Sequence, residues 1–239
     1  MNKILAGVRK ELKSNIDLEY KKGVTNYFNE KVTFLGVRTP VMRKIGKKYF
    51  KNIKDLEKKE IFNLCEQLLK TSYNEESHMA FQWAYEIKKQ YTKDDFKIFE
   101  RWLKTYVTNW GMCDDFCTHS FGYLISQYPE FIQNIKGWTK SKNRWVRRAS
   151  AVVFISNGWR YYVGKKYFPT IFYIAEQLLT DEDDLVQKGY GWMLKTASLS
   201  REKEIFDFVM KNKKEMPRTA LRYAIEHMPR NMKDKAMAK

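Results

Sequence analysis

The sequence predicts an all-α protein, an α-solenoid of HEAT-like helical repeats curved around a basic concave face. Three observations carry that expectation. Only five prolines and eleven glycines interrupt the chain, and no Val/Ile/Thr-rich alternation lasts long enough for a strand. Nearly every segment instead repeats its apolar residues at helical period. From residue 55 onward the helices come in pairs whose second members start about 33 to 40 residues apart, the period of HEAT-type arrays. Such pairs would bury one continuous core over residues 1–239 as a single domain, with the second helices lining the concave face.

Taken in order, a helix is expected at 2–13, then one at 17–30 whose bulky residues are Leu18, Val24, Tyr27 and Phe28. VTFLGVRTP (32–40) reads as an apolar connection, with Thr39 capping the next helix and Pro40 in its first turn. That helix, PVMRKIGKKYFK, carries a dense basic face from Arg43 to Lys51. Residues 55–70 (Ile61, Leu64, Leu68, Leu69) pair with 75–91, where Met79, Trp83 and Ile87 form the stripe. The helix at 93–106 pairs with one starting at Trp110, 129–140 with 143–155, 166–180 with 183–197, and 201–213 with 217–228. NRWVRRASAV, DDLVQKGYGW and PRTALRYA share a grammar: a capped start, a cation a few residues on, and small residues where the helix packs.

Composition bounds the function. A 44% hydrophobic share with 15 Tyr, 15 Phe and 7 Trp excludes disorder, while 45 Lys and Arg against 28 acids give a formal charge of +17. That imbalance favours a polyanion, most commonly the phosphate backbone of nucleic acid. A membrane surface would attract the same charge, but no apolar run approaches the roughly 18 residues that span a bilayer. The start, MNKILAGVRKELKSN, lacks a signal-peptide core and cleavage site, so the cytoplasm is expected. Cys65, Cys113 and Cys117 form no disulfide framework. Cys113 and Cys117 stand one helical turn apart, but His119 points elsewhere and no fourth ligand is near, so no metal site is expected.

The stretch VTNWGMCDDFCTHSFG (107–122) is the most informative. If Asn109 caps a helix beginning at Trp110, then Trp110 and Asp114 stand one turn apart on one face, with Asp115 about a quarter turn round. An indole beside a carboxylate in so basic a chain suits a cationic or sugar-like group on an anionic partner. The competing reading makes Trp110 core and Asp114 a first-turn acid favoured by the helix dipole. Similar pairs of readings attach to Arg144, Arg147 and Arg148 (groove or solvated face), to Trp192 between Lys188 and Lys195 (groove or core), and to Tyr27 (groove or core). Their recurrence in register favours one groove, with cations holding phosphates and indoles packing on sugars or bases.

At these residues the chain resembles the AlkD-type DNA alkylation-repair glycosylases, over most of its length. FLGVRTPVMRK (34–44), VTNWGMCDDF (107–116), NRWVRRASAV (143–152) and QKGYGWML (187–194) carry the resemblance, in the right order and spacing. It implies excision of cationic N3- or N7-alkylated purines from duplex DNA by cleavage of the N-glycosidic bond, with no cofactor and without flipping the base into a pocket. It implies Asp114 as catalytic carboxylate, Trp110 and Trp192 as active-site tryptophans, Arg148 in the catalytic cleft and Tyr27 beside the DNA. Arg38, at a variable position, with Thr39, Arg147, Lys188 and Lys195, completes the expected DNA-binding set; a monomer suffices to grip one duplex. Two departures stand out: Gly111 follows Trp110 where a second Trp is frequent, and Lys195 stands where arginine is common. The chemistry is consistent, since an alkylated purine is already a good leaving group and help is needed only for positive charge moving onto the sugar. A fixed carboxylate and indole faces supply that help. The alternatives are a non-catalytic HEAT-like scaffold binding distorted or branched DNA, and a protein–protein scaffold of the armadillo kind.

Overall fold

The computed structural model describes residues 3–155 and 167–238; Asn2 and Lys166, at the starts of two expected helices, lie outside them. The described residues form an all-helical solenoid. In chain order the helices are α1 (Lys3–Ser14), α2 (Leu18–Tyr27), α3 (Thr39–Phe50), α4 (Lys58–Leu69), α5 (Asn74–Glu86), α6 (Asp95–Tyr106) and α7 (Trp110–Phe116). There follow α8 (Gly122–Gln127), α9 (Ile132–Trp138), α10 (Arg144–Val152), α11 (Phe168–Gln177), α12 (Asp184–Asn212), α13 (Arg218–Ala224) and α14 (Arg230–Met237). The second helices stack directly on one another, α3 on α5, α5 on α7, α7 on α10, α10 on α12 and α12 on α13. This stack is what brings residues from distant parts of the sequence to one surface.

The core runs through the stack without interruption. Trp83, Trp102, Tyr190, Phe81 and Phe99 are among its largest fully buried side chains, each contributing about 1.5–3 kcal/mol by burial. The indole of Trp83 keeps its N–H satisfied by donating to the Gly46 carbonyl at 2.9 Å, which ties α5 to α3. Leu64, Leu68, Leu69, Met79 and Ile87 are buried as their periodicity requires.

Four features depart from the sequence reading. Thr39 is not the cap of α3: the Arg38 carbonyl already accepts from Met42 N at 3.0 Å, so Arg38 holds the cap position and Thr39 and Pro40 open the helix. The reason lies upstream, where the Glu75 carboxylate accepts from the backbone N–H groups of Leu35, Gly36 and Val37 at 2.9, 2.8 and 3.0 Å and fixes the segment. Gly36 has φ +102°, a left-handed conformation that a side chain would strain. Second, the helices expected at 183–197 and 201–213 run on as α12, broken only at Arg201 (φ −143°, ψ 55°). Third, α7 passes into α8 through a π-turn at Cys117–Phe121, a distortion often found beside functional sites. Fourth, α14 was not expected; it closes the end of the stack against α12. One isolated parallel bridge, Thr33 to Tyr73, is the extent of extended pairing among the described residues.

Candidate functional site

The helix that carries the site starts where its cap dictates. Asn109, fully buried and extended (φ −148°, ψ 166°), accepts from Met112 N at 2.9 Å and donates to Asn74 Oδ1 at 3.1 Å, so both the start of α7 and its seat on α5 are set. Trp110 then begins α7, and Asp114 follows one turn later on the same face. Both line a cleft of about 550 Å³ that also meets Tyr27 at the end of α2, Asn29 and Glu30 just after it, Arg144 and Arg148 of α10, Lys188 and Trp192 of α12, and Tyr223 of α13. The expected convergence of second helices therefore occurs here.

Asp114 is gripped from across the repeat. Arg148 donates from Nε to Oδ1 and from Nη2 to Oδ2, both at 2.8 Å, a bidentate fork that fixes the carboxylate plane. The Arg148 side chain is 6% exposed and that of Asp114 17%, so the pair is buried yet leaves the carboxylate reachable from the cleft. Arg148 also donates from Nη1 to the Leu185 carbonyl. Room for this guanidinium comes from Gly189, where a Cβ would stand 3.2 Å from Arg148 Cγ and 3.4 Å from Nη1. Burial pushes the Asp114 carboxyl above the usual aspartate value, against the lowering influence of Arg148, and the neighbouring Asp115 charge pushes the same way as burial. Burial disfavours the Arg148 cation, and Asp114 more than restores it. The reading of Asp114 as a first-turn acid fails, since it lies beyond that turn.

Asp115 turns the other way, into the stack. It accepts from Arg43 Nη2 at 2.6 Å and meets His78 Nδ1 at 2.6 Å, with His119 Nδ1 at 3.4 Å. Burial opposes its ionisation, but His78 and Arg43 together hold its carboxyl well below the usual range. Adjacent carboxylates thus have separate duties: Asp115 bolts α7 to α3 and α5, leaving Asp114 toward the cleft.

Trp110 is half-buried and stacks on Phe28, with centroids 5.0 Å apart and planes at 11°. Tyr27 meets the same indole edge-on at 6.0 Å and is 70% exposed, which overturns the reading of Tyr27 as core. Phe28 is the aromatic that sequence reasoning did not single out for the site; its proximity to Trp110 depends on how the chain leaves α2. Trp192, half-buried, lines the cleft, while its neighbours Val186 and Met193 take the core positions.

The expected cations divide into two groups. Lys188 lines the cleft, paired with Asp184 at 2.8 Å, and Arg144 lines it while bound to Asp183 at 2.6 Å. Arg147 and Lys195 are not among the cleft-lining residues. Arg147 binds Asp181 at 2.6 Å and the carbonyls of Ser141 and Lys142, and Lys195 binds Glu226 at 3.1 Å. Arg38 lies beside a neighbouring cavity of about 420 Å³ shared with Tyr27, paired with Asp17 at 2.9 Å and lying over the Tyr20 ring. Thr39 is exposed at the start of α3. The shared capped start holds for α10, where Asn143 accepts from Trp145 N, and for α12, where Asp183 accepts from Leu185 N, both at 2.9 Å. It fails for α13, which opens after Pro217 without a side-chain cap.

Cys113 and Cys117 are fully buried, and burial drives the Cys117 thiol far above its usual value. No described helix is long and apolar enough to cross a membrane.

A family model described as DNA alkylation repair enzyme matches residues 8–228. Among solved structures, one described as a predicted DNA alkylation repair enzyme from Enterococcus faecalis superposes with a TM-score of 0.77 at 16% sequence identity, covering 90% of this chain and 98% of its own. At that identity the likeness speaks for the fold. No curated protein matches the sequence.

Proposed function

Because the chain belongs to the DNA alkylation repair enzyme family, we propose that it is a monofunctional DNA glycosylase that releases cationic N3- or N7-alkylated purines from duplex DNA. The observation that carries this reading is the Asp114 carboxylate, locked bidentately by Arg148 and lining the same cleft as Trp110 and Trp192. The bond to be broken joins the sugar C1′ to purine N9. Its electron pair leaves with the base, which departs neutral, and positive charge develops on the deoxyribose. Asp114 opposes that charge at a fixed distance and needs no reorganisation, because Arg148 has already set its orientation. Each carboxylate oxygen spends one lone pair on Arg148 and keeps another for the cleft. Trp110, held by its stack on Phe28, and Trp192 offer π-faces against the sugar, favourable to a developing cation. Water then adds to C1′ and loses a proton to solvent.

No step requires a cofactor, and a monomer contains every group named. The lesion nucleotide stays in or near the duplex with its sugar at the cleft mouth. Tyr27, Arg38, Thr39 and Lys188 lie around the flanking backbone; Arg147 and Lys195 act on DNA only indirectly, through the helices they fasten.

The deciding experiment measures free base released from duplex DNA carrying a single N7-methylguanine, under excess protein. Release well above the spontaneous rate is expected. Tight, salt-dependent binding with no release would instead favour a non-catalytic scaffold for distorted DNA.

A further inference from the structure

The charges around the cleft do not add up to the basic wall that a net charge of +17 leads one to expect. Three cations line it, Arg144, Arg148 and Lys188, and three carboxylates, Asp114, Asp184 and Glu30. Every cation is already matched: Arg148 to Asp114 at 2.8 Å, Lys188 to Asp184 at 2.8 Å, and Arg144 to Asp183 at 2.6 Å. Glu30 is different. It is half-buried in the segment after α2 and, among the described residues, makes no ion pair or hydrogen bond. Because Arg144 is matched by Asp183, which does not itself line the cleft, the three lining cations leave Glu30 as a carboxylate with no cation of its own.

A surplus negative charge at the place where DNA is to be received is costly for binding phosphate. It is not needed to hold the segment, since nothing is attached to it. Undamaged purines are neutral and gain nothing from it. An alkylated purine carries a full positive charge, and that charge is the chemical difference between lesion and normal base. We propose that Glu30 is a specificity-determining residue, the carboxylate that favours a cationic nucleobase over a neutral one at the cleft. The proposal rests on the glycosylase reading for the identity of its ligand, but not for the existence of cation recognition.

The charge travels only from the purine ring to C1′ as the glycosidic bond breaks, so Glu30 interacts with it both before and during the reaction. An interaction present in both states changes affinity and leaves the rate at saturation nearly untouched. This separates Glu30 from Asp114, whose effect falls on the rate.

The test measures affinity for two duplexes with a 2′-fluorinated lesion nucleotide, which resists cleavage. One carries N7-methylguanine, the other its neutral counterpart, 7-deaza-7-methylguanine. Wild type should prefer the cationic duplex by about fivefold, the size of one partly solvated ion pair. Glu30→Gln should bind both about equally, bind undamaged duplex at least as well as wild type, and excise at saturation within about threefold of the wild-type rate. Glu30→Asp should keep part of the preference, and thermal melting verifies that each variant is folded. A Glu30→Gln variant that keeps the wild-type preference, or a wild type that shows none, overturns the proposal. Preference without base release by wild type would sink the glycosylase reading and leave Glu30 as a cation receptor; release with no preference would do the reverse.

Discussion

Asp114→Asn is the substitution on which the mechanism stands or falls. Asparagine keeps the shape and one acceptor for Arg148 but removes the charge. A unit carboxylate about 4 Å from a developing cation, at an effective dielectric near 20, is worth about 4 kcal/mol. At 1.36 kcal/mol per tenfold that corresponds to about three orders of magnitude in rate. Arg148 sits on the same carboxylate at 2.8 Å and offsets part of its field, so a loss of about 100- to 1000-fold is expected. The substitution also leaves Arg148 charged and 6% exposed with a weaker partner. Breaking a fully buried pair costs about 3–5 kcal/mol; with an amide oxygen still accepting, about 2 kcal/mol is reasonable, or roughly 5 °C in Tm for a chain of this size. The assay is single-turnover base release from an N7-methylguanine duplex at a temperature where both proteins are folded, with DNA affinity measured in parallel. A folded Asp114→Asn variant that excises within about threefold of wild type would refute the role of this carboxylate.

Three further outcomes follow from the same geometry. Since burial raises the Asp114 carboxyl above the usual aspartate value, and only its ionised form stabilises the sugar cation, the acid limb of the excision pH profile should lie above that of an ordinary aspartate; a limb at or below it would contradict the burial argument. For Asp115, whose carboxyl is held low by His78 and Arg43 despite burial, the folded state binds its proton less readily than the unfolded state. Its stabilisation is therefore complete above the unfolded aspartate value and is lost as pH falls through the lower folded one; Asp115→Asn should cost about 2–4 kcal/mol at neutral pH and flatten acid unfolding, as read by denaturant titrations at several pH values. Trp110→Ala removes an indole stacked on Phe28 at 5.0 Å. It should slow excision about tenfold or more while changing affinity for undamaged duplex by less than threefold, checked by paired kinetics and binding.

The parts of this site set by local rules were legible in the sequence. Asn109, Asn143 and Asp183 are caps because their short oxygens satisfy the first free N–H groups of a helix, a relation contained within three residues. The shared face of Trp110 and Asp114 follows from a spacing of four. The same spacing could have separated the arginines: Arg144 and Arg148 share a face, both reaching the cleft, while Arg147 stands a quarter turn away and finds Asp181. What no local rule contains is the register between repeats. The Arg148 grip on Asp114 spans 34 residues, the Arg43 contact with Asp115 spans 72, and the Glu75 clamp on the backbone of 35–37 spans about 40. Thr39 reads as a cap from its own neighbours but lies inside the helix for that reason, since Glu75 of another repeat fixes the segment before it.

These long-range pairs follow a pattern that bears on how the family's chemistry is built into a solenoid. Asp115 joins α7 to α3, Asp114 joins it to α10, Arg144 and Arg147 join α10 to the residues that open α12, and Lys195 joins α12 to Glu226 just beyond α13. Apart from Lys188, whose partner Asp184 lies one turn away in the same helix, the cations that recur in the second helices are therefore fasteners between repeats first. A phosphate could draw Arg144, Arg147 or Arg148 away only by stranding a largely buried carboxylate, which costs more than a surface contact returns. Under the proposed function the grip on a duplex would come chiefly from cations whose partners are exposed, such as Lys188, and the arginines of α10 would contribute by holding the stack in the register that presents Trp110, Asp114 and Trp192 together. In this arrangement the bond that orients the proposed catalytic carboxylate is also a bond that aligns two repeats, so the geometry of the cleft and the pitch of the solenoid are set by the same contacts.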